Sequence, residues 1–155
     1  DVVHMTSYAP LLAKERHTQW NPDLIYFNNR EVKPTTGYYV QKLYGQNAGN
    51  EYLPSKIVLD NKDDKVRKRF ASSIVRDSVS GDVIVKLVNL LPVEVNTNVD
   101  LSGIGAVQPS AKRTVLTGKP TDTPLPVEDR IQIAEKFDCN LPAYSFTVIR
   151  IQKAN

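Results

Sequence analysis

One cysteine, two histidines and seven glycines are thin supplies for a chain of 155 residues, and each shortage removes a class of function. Cys139 has no partner within the chain, so no intrachain disulfide is possible and the redox compartment is not encoded in cysteine pairing. It reads as a buried small hydrophobe. His4 and His17 lack the cysteine or paired-histidine spacing of a zinc site, and no metal or cofactor is expected. No stretch approaches the roughly 18 apolar residues of a membrane-spanning helix, so no membrane partner is expected. Asp1 opens neither a basic start nor an apolar leader, and the chain is expected to begin inside something larger. Aromatic residues are scarce in the second half, where only Phe70, Phe137, Tyr144 and Phe146 follow Tyr52.

Charge is nearly balanced. Twenty basic against seventeen acidic residues give +3, which governs solubility more than partner choice. The densest basic stretch, residues 62–69, contains Asp63 and Asp64 and lacks the clustered aromatics of a nucleic-acid site. It is expected to be a solvated loop or strand edge, with no nucleic-acid partner.

Periodicity changes near Tyr52. Before it, Asp1 is a plausible cap for a helix with Val2, Met5 and Ala9 on one side, ended by Pro10. A short apolar run, residues 11–13, follows, and residues 24–27 read as extended. Thr36 is placed to cap a second helix whose apolar face is Tyr39, Val40, Leu43 and Tyr44, with Gly45 as its stop. After Tyr52, strands are expected at 57–60, 70–76, 83–90, 93–101, 111–116, 131–137 and 144–151. Ser80-Gly81-Asp82 has the composition of a hairpin turn, and Val93, Val95, Thr97, Val99 and Leu101 alternate with Glu94, Asn96, Asn98 and Asp100. Strands without intervening helices predict a mainly β chain: an antiparallel β-sandwich, jelly-roll-like, behind a small helical segment.

Asp1-Val2-Val3-His4-Met5-Thr6-Ser7-Tyr8-Ala9-Pro10-Leu11-Leu12, then Trp20-Asn21-Pro22-Asp23-Leu24-Ile25-Tyr26-Phe27, resembles the last part of the catalytic barrel of family 51 α-L-arabinofuranosidases of the plant-like branch. Gly37-Tyr38-Tyr39-Val40-Gln41-Lys42-Leu43 resembles the final barrel helix of those enzymes, and Leu141-Pro142-Ala143-Tyr144-Ser145-Phe146-Thr147-Val148 the closing strand of their β-sandwich. The resemblance implies that residues 1–51 are the remnant of the last βα unit of a (β/α)8 barrel and that 52–155 are the C-terminal sandwich. It also implies a retaining glycosidase that removes arabinofuranosyl groups from arabinan, arabinoxylan or related oligosaccharides. Such chemistry uses two carboxyl groups about 5 Å apart. Both are glutamates that the resemblance locates upstream of Asp1, so this chain is expected to support an upstream catalytic barrel and to be inactive alone.

Gly49-Asn50-Glu51 repeats the short sequence around the family's acid/base, but here it follows the last helix in a polar loop, and no catalytic role is expected for Glu51. Neighbouring Asp63 and Asp64 face apart or are hydrated. The candidate substrate-binding residues lie in the segment that matches the loop after the last barrel strand. Trp20 offers a sugar ring an apolar face, and Asn21 and Asp23 offer hydrogen bonds to hydroxyls. The competing reading has Trp20 and Pro22 packing the loop and Asp23 capping backbone groups. A different class, an autonomous carbohydrate-binding sandwich, would need the exposed aromatics that the second half lacks. Val2, Met5, Leu11, Leu12, Val40 and Leu43 need apolar partners, so residues 1–50 are expected to pack on the sandwich or to associate with another copy.

Overall fold

The computed structural model describes residues 5–119 and 122–154. Strand β5 (Phe70–Arg76) turns through 77–82 into β6 (Val83–Asn89), in the register Phe70↔Asn89 to Arg76↔Val83. The turn is held by Asp77, whose carbonyl accepts from Gly81 N–H at 2.7 Å and whose carboxylate accepts from Val79 N–H at 3.0 Å. Gly81 takes φ +77°, a conformation that favours glycine. The hairpin expected from sequence is therefore present.

Beyond β6 the chain alternates between two sheets. Strand β7 (Val95–Asp100) lies in a two-stranded sheet, and β8 (Ser110–Thr117) and β9 (Val127–Gln132) return to the first sheet. Strand β10 (Lys136–Leu141) pairs with β7, and β11 (Ser145–Ile151) comes back to lie between β6 and β8. With β4 (Glu51–Leu53) on its edge, the larger sheet has six strands in the order β4-β5-β6-β11-β8-β9, antiparallel throughout. This is the antiparallel sandwich expected for the second half. Its strand β4 runs across position 51/52.

The sheets meet over one core. Val83, Val85, Ala111, Ile149 and Ile151 face Val99, Phe137, Cys139 and Leu141. The other face of the same central strands carries Ile84, Leu116, Phe146 and Val148, and against it lies Leu43 of helix α1 (Thr36–Gln46), flanked by Tyr39 and Val40. Burial on both faces explains why β6 and β11 read as nearly unbroken hydrophobic runs. Strand β7 has only one covered face and therefore alternates: Val99 and Leu101 are buried, and Asn96, Asn98 and Asp100 are exposed. Cys139 is buried as expected, and desolvation raises its thiol pKa.

Ahead of α1, strands β1 (Leu12–Lys14), β2 (Ile25–Phe27) and β3 (Val32–Pro34) form a small sheet, with β1 parallel to β2 and β2 antiparallel to β3. Of the two outcomes expected for this half, α1 takes the first and packs on the sandwich.

Several local expectations are corrected. The helix over residues 2–9 is not formed across 5–9, and residues 1–4 lie outside the described residues. Met5 is 88% exposed, and so short a helix has no stability without a surface to bury against. The cap of α1 is Thr35, whose hydroxyl donates to Leu24 O and accepts from no helix N–H, while Thr36 Oγ1 donates to Lys119 O at 2.8 Å. Gly45 sits inside α1, and Asn47 ends it. Residues 57–60 form no strand, and Val58 is exposed there. The single strand expected at 131–137 is two strands, β9 and β10, because the chain crosses between sheets at 133–135. The basic stretch contains a one-turn helix, α2 (Asp64–Arg67), which Asp63 caps by accepting from Lys65 N–H at 2.8 Å.

Candidate functional site

The loop between β1 and β2 turns back on itself through side chains that sequence spacing alone did not connect. His17 N–H donates to Lys14 O at 3.0 Å, closing the turn after β1. Thr18 Oγ1 accepts from Trp20 N–H at 3.1 Å and donates to Asp23 Oδ2 at 3.0 Å. A carboxylate is the stronger acceptor, so the single hydroxyl proton belongs there and not on Trp20 O, 3.2 Å away. Tyr26, on β2, reaches back over the loop. Its phenol oxygen accepts from Asp23 N–H at 2.9 Å and donates to Asn21 Oδ1 at 3.0 Å. Thr18 and Tyr26 are thus the organising residues that sequence reasoning missed. The signal available was two hydroxyl side chains bracketing a run of turn formers.

The three candidates have different situations. Trp20 is 67% exposed, with most of its indole open to solvent. Asn21 is exposed with its carbonyl oxygen engaged by Tyr26, which leaves amide N–H groups as what it can offer. Asp23 is 0% exposed. Its Oδ2 is held by Thr18, and its Oδ1 has no hydrogen-bond partner among the described residues. A buried carboxylate oxygen without a donor is costly.

The sheet below the loop is braced by charge. Lys33 Nζ lies 2.8 Å from Glu15 and 2.9 Å from Glu31, and Asn28 Nδ2 donates to Glu15 at 2.7 Å. Hydrogen bonding to Lys33 holds both glutamates below their ordinary pKa and raises that of Lys33. By register and alternation Leu12, Ile25, Phe27 and Val32 share one face of the sheet. Leu12, Phe27 and Val32 are exposed on it, with exposed Lys14 opposite Phe27 on the same face, and exposed Leu11 precedes Leu12 in sequence.

Glu51 begins β4 on the sheet edge, exposed, 3.6 Å from Arg76 Nη1. The basic residues of 62–69 are solvated. A groove of about 370 Å³ runs along the open side of the sandwich between Glu94, Asn140 and Pro142 on one bank and Arg113, Val127 and Asp129 on the other. Arg113 and Asp129 are paired with each other, Nε to Oδ1 at 2.9 Å, and no aromatic ring lines the groove. None of the described helices is long and apolar enough to cross a membrane.

Comparison with known proteins agrees with this geometry. The family profile described as the alpha-L-arabinofuranosidase C-terminal domain matches residues 1–147. Alpha-L-arabinofuranosidase 2 of Arabidopsis thaliana is 31% identical over 159 residues, a match that covers 95% of this chain and 23% of the relative. An extracellular exo-alpha-L-arabinofuranosidase of Streptomyces chartreusis is 54% identical over 56 residues, 36% of this chain and 7% of that protein. An arabinose-bound GH51 α-L-arabinofuranosidase superposes with a TM-score of 0.82 at 31% identity, covering 96% of this chain and 24% of the solved one. The chain therefore spans less than a quarter of the length of these relatives. Because the profile runs from ahead of β1, through the small sheet and α1, and into β11, one assignment accounts for both halves: the chain belongs to the alpha-L-arabinofuranosidase C-terminal domain family.

Proposed function

We propose that this chain is the non-catalytic C-terminal part of a retaining α-L-arabinofuranosidase that releases arabinofuranosyl side groups from arabinan or arabinoxylan. In this reading residues 1–51 complete the last βα unit of an upstream catalytic barrel, 52–155 form the sandwich that braces it, and the chemistry belongs to glutamates of that barrel. The observation that carries the reading is the set of exposed apolar residues Leu12, Phe27 and Val32 on one face of the small sheet, outside both hydrophobic clusters of the described residues. Such a face calls for a covering surface. The upstream barrel is the occupant that accords with a family match covering a quarter or less of each relative.

The exposed indole of Trp20 and the amide of Asn21 then stand at the barrel's catalytic end as sugar contacts, Trp20 against a ring face and Asn21 as a donor to a hydroxyl. Buried Asp23 shapes the loop through its bonds to Thr18 and Tyr26. A free-standing carbohydrate-binding sandwich is less well supported, because its groove has no aromatic platform. In the full-length enzyme, Trp20→Ala should lower kcat/KM for arabinofuranosides tenfold or more, about 1.4 kcal/mol of transition-state stabilisation. An unchanged kcat/KM with a lowered melting temperature would make Trp20 a packing residue. The chain alone should not turn over arabinofuranosides. Turnover that survives purification and is lost in Glu51→Gln would reverse the assignment of the chemistry to the barrel.

A further inference from the structure

Tyr26 stands at the one point where the loop's conformation and the orientation of an exposed polar side chain are decided by the same atom. A backbone N–H can only donate, so the phenol oxygen accepts from Asp23 N–H at 2.9 Å. The phenol's own proton then goes to Asn21 Oδ1 at 3.0 Å. An asparagine amide has two faces of similar shape and opposite hydrogen-bonding sense. With its oxygen tied inward to Tyr26, Asn21 presents N–H donors to solvent next to the exposed indole of Trp20. Without Tyr26 the amide is free to turn, and the exposed edge loses its defined sense.

We propose that Tyr26 is a positioning residue that fixes Asn21 as a hydrogen-bond donor toward a sugar hydroxyl, and so tunes what the Trp20–Asn21 surface recognises. This rests on the assignment of that surface as a sugar contact. Tyr26 does not touch the substrate. It is partly buried, half of its polar reach is taken by Asp23 N–H, and its influence on substrate passes through Asn21. The phenol therefore has two separable duties: holding the Asp23 backbone, which any substrate or none would feel, and orienting Asn21, which matters only when a sugar is bound.

A double-mutant cycle on the full-length enzyme separates them. With an aryl α-L-arabinofuranoside as substrate, Tyr26→Phe should lower kcat/KM by about three- to tenfold, the size of one neutral hydrogen bond. Asn21→Ala should lower it by a similar or larger factor, and Tyr26→Phe added to Asn21→Ala should lower it no further. If Tyr26→Phe multiplies the loss equally in both backgrounds, the effect runs through the Asp23 backbone and the positioning role is refuted, while the sugar-contact reading stands. If neither Asn21→Ala nor Trp20→Ala changes kcat/KM, the sugar-contact reading itself fails and the positioning role falls with it. A second measurement needs only the present chain: in a ¹H–¹⁵N spectrum the Asn21 side-chain amide pair should shift in Tyr26→Phe while the backbone amides of β6 and β11 stay in place. An unmoved Asn21 pair in a folded Tyr26→Phe chain would overturn the proposal at its first step.

Discussion

Leu43→Ala tests whether α1 is held to the sandwich by packing alone. Leu43 is the one buried residue of α1, 6% exposed, and its side chain fills the space between Ile84, Leu116, Phe146 and Val148. Those four partners sit on β6, β8 and β11, each paired on both sides, so the sheet cannot rise to close the gap. The helix side is also tied. Thr36 Oγ1 donates to Lys119 O at 2.8 Å, and the Tyr44 ring stacks on Phe146 at 4.8 Å. A cavity that neither wall can collapse places the cost within the 2–5 kcal/mol range for buried leucines, at about 3 kcal/mol. The inner core between the two sheets is untouched, so the loss falls on α1 docking. At 1.4 kcal/mol per factor of ten, α1 amides should exchange hydrogen roughly 100-fold faster than in the parent. Amides of β6 and β11 should change far less. The reasoning is refuted by α1 exchange within threefold of the parent, or by equal loss of protection in α1 and the central strands, which would make them one cooperative unit.

Two further substitutions probe buried polar groups. Asn89, at the end of β6, has its Nδ2 within 2.9 Å of Val93 O and Pro142 O and 3.2 Å of Leu141 O, and its Oδ1 accepts from Leu91 N–H at 2.9 Å. Asn89→Ala removes the fully buried amide and leaves Leu141 O and its partly buried neighbours without this partner, which should cost about 3 kcal/mol in urea unfolding; a loss under 1 kcal/mol would mean that water replaces the amide. Lys86 is 3% exposed, has no ion pair among the described residues, and lies with Nζ 5.5 Å from the Tyr44 ring centroid. Burial lowers its pKa below the ordinary 10.5, so protonation favours the unfolded chain, and stability should rise with pH from the lowered folded-state value up to the unfolded one. Lys86→Met should flatten that rise and stabilise the chain at neutral pH by about 1 kcal/mol. A less stable Lys86→Met at pH 7 would show that the cation–π contact outweighs desolvation.

Sequence periodicity carried the sandwich wherever one physical condition governed a segment. Strand β7 has one wet face, so its alternation fixed both its state and its inward side. The β5–β6 pair was legible because a turn that needs Gly81 separates two β-branched runs. The segment at 131–137 misled for the opposite reason. Ile131 and Phe137 both pack on the inner core, one from each sheet, and apolar residues spaced along Ile131, Ile133 and Phe137 do not record that the chain changes sheet between them. The apolar residues at 57–60 found no strand to pair with, and β-propensity without a partner makes no ladder.

Within the loop, composition singled out Trp20, Asn21 and Asp23 without distinguishing them. Whether each is exposed or buried depends on Thr18 and Tyr26, hydrogen-bonded to them from two to five positions away, whose hydroxyls converge only after β1 and β2 pair. The sequence by itself determined the strand-rich second half, the presence of a helix with Tyr39, Val40 and Leu43 on its apolar face, and the family resemblance, because these rest on local turn chemistry, short-range periodicity and residue order. Tertiary structure alone decided which face of the six-stranded sheet α1 covers, that β11 threads between β6 and β8, and that the Asp23 carboxylate is sealed in while Trp20 and Asn21 face solvent. Those outcomes depend on contacts between residues distant in the chain, which no local pattern encodes.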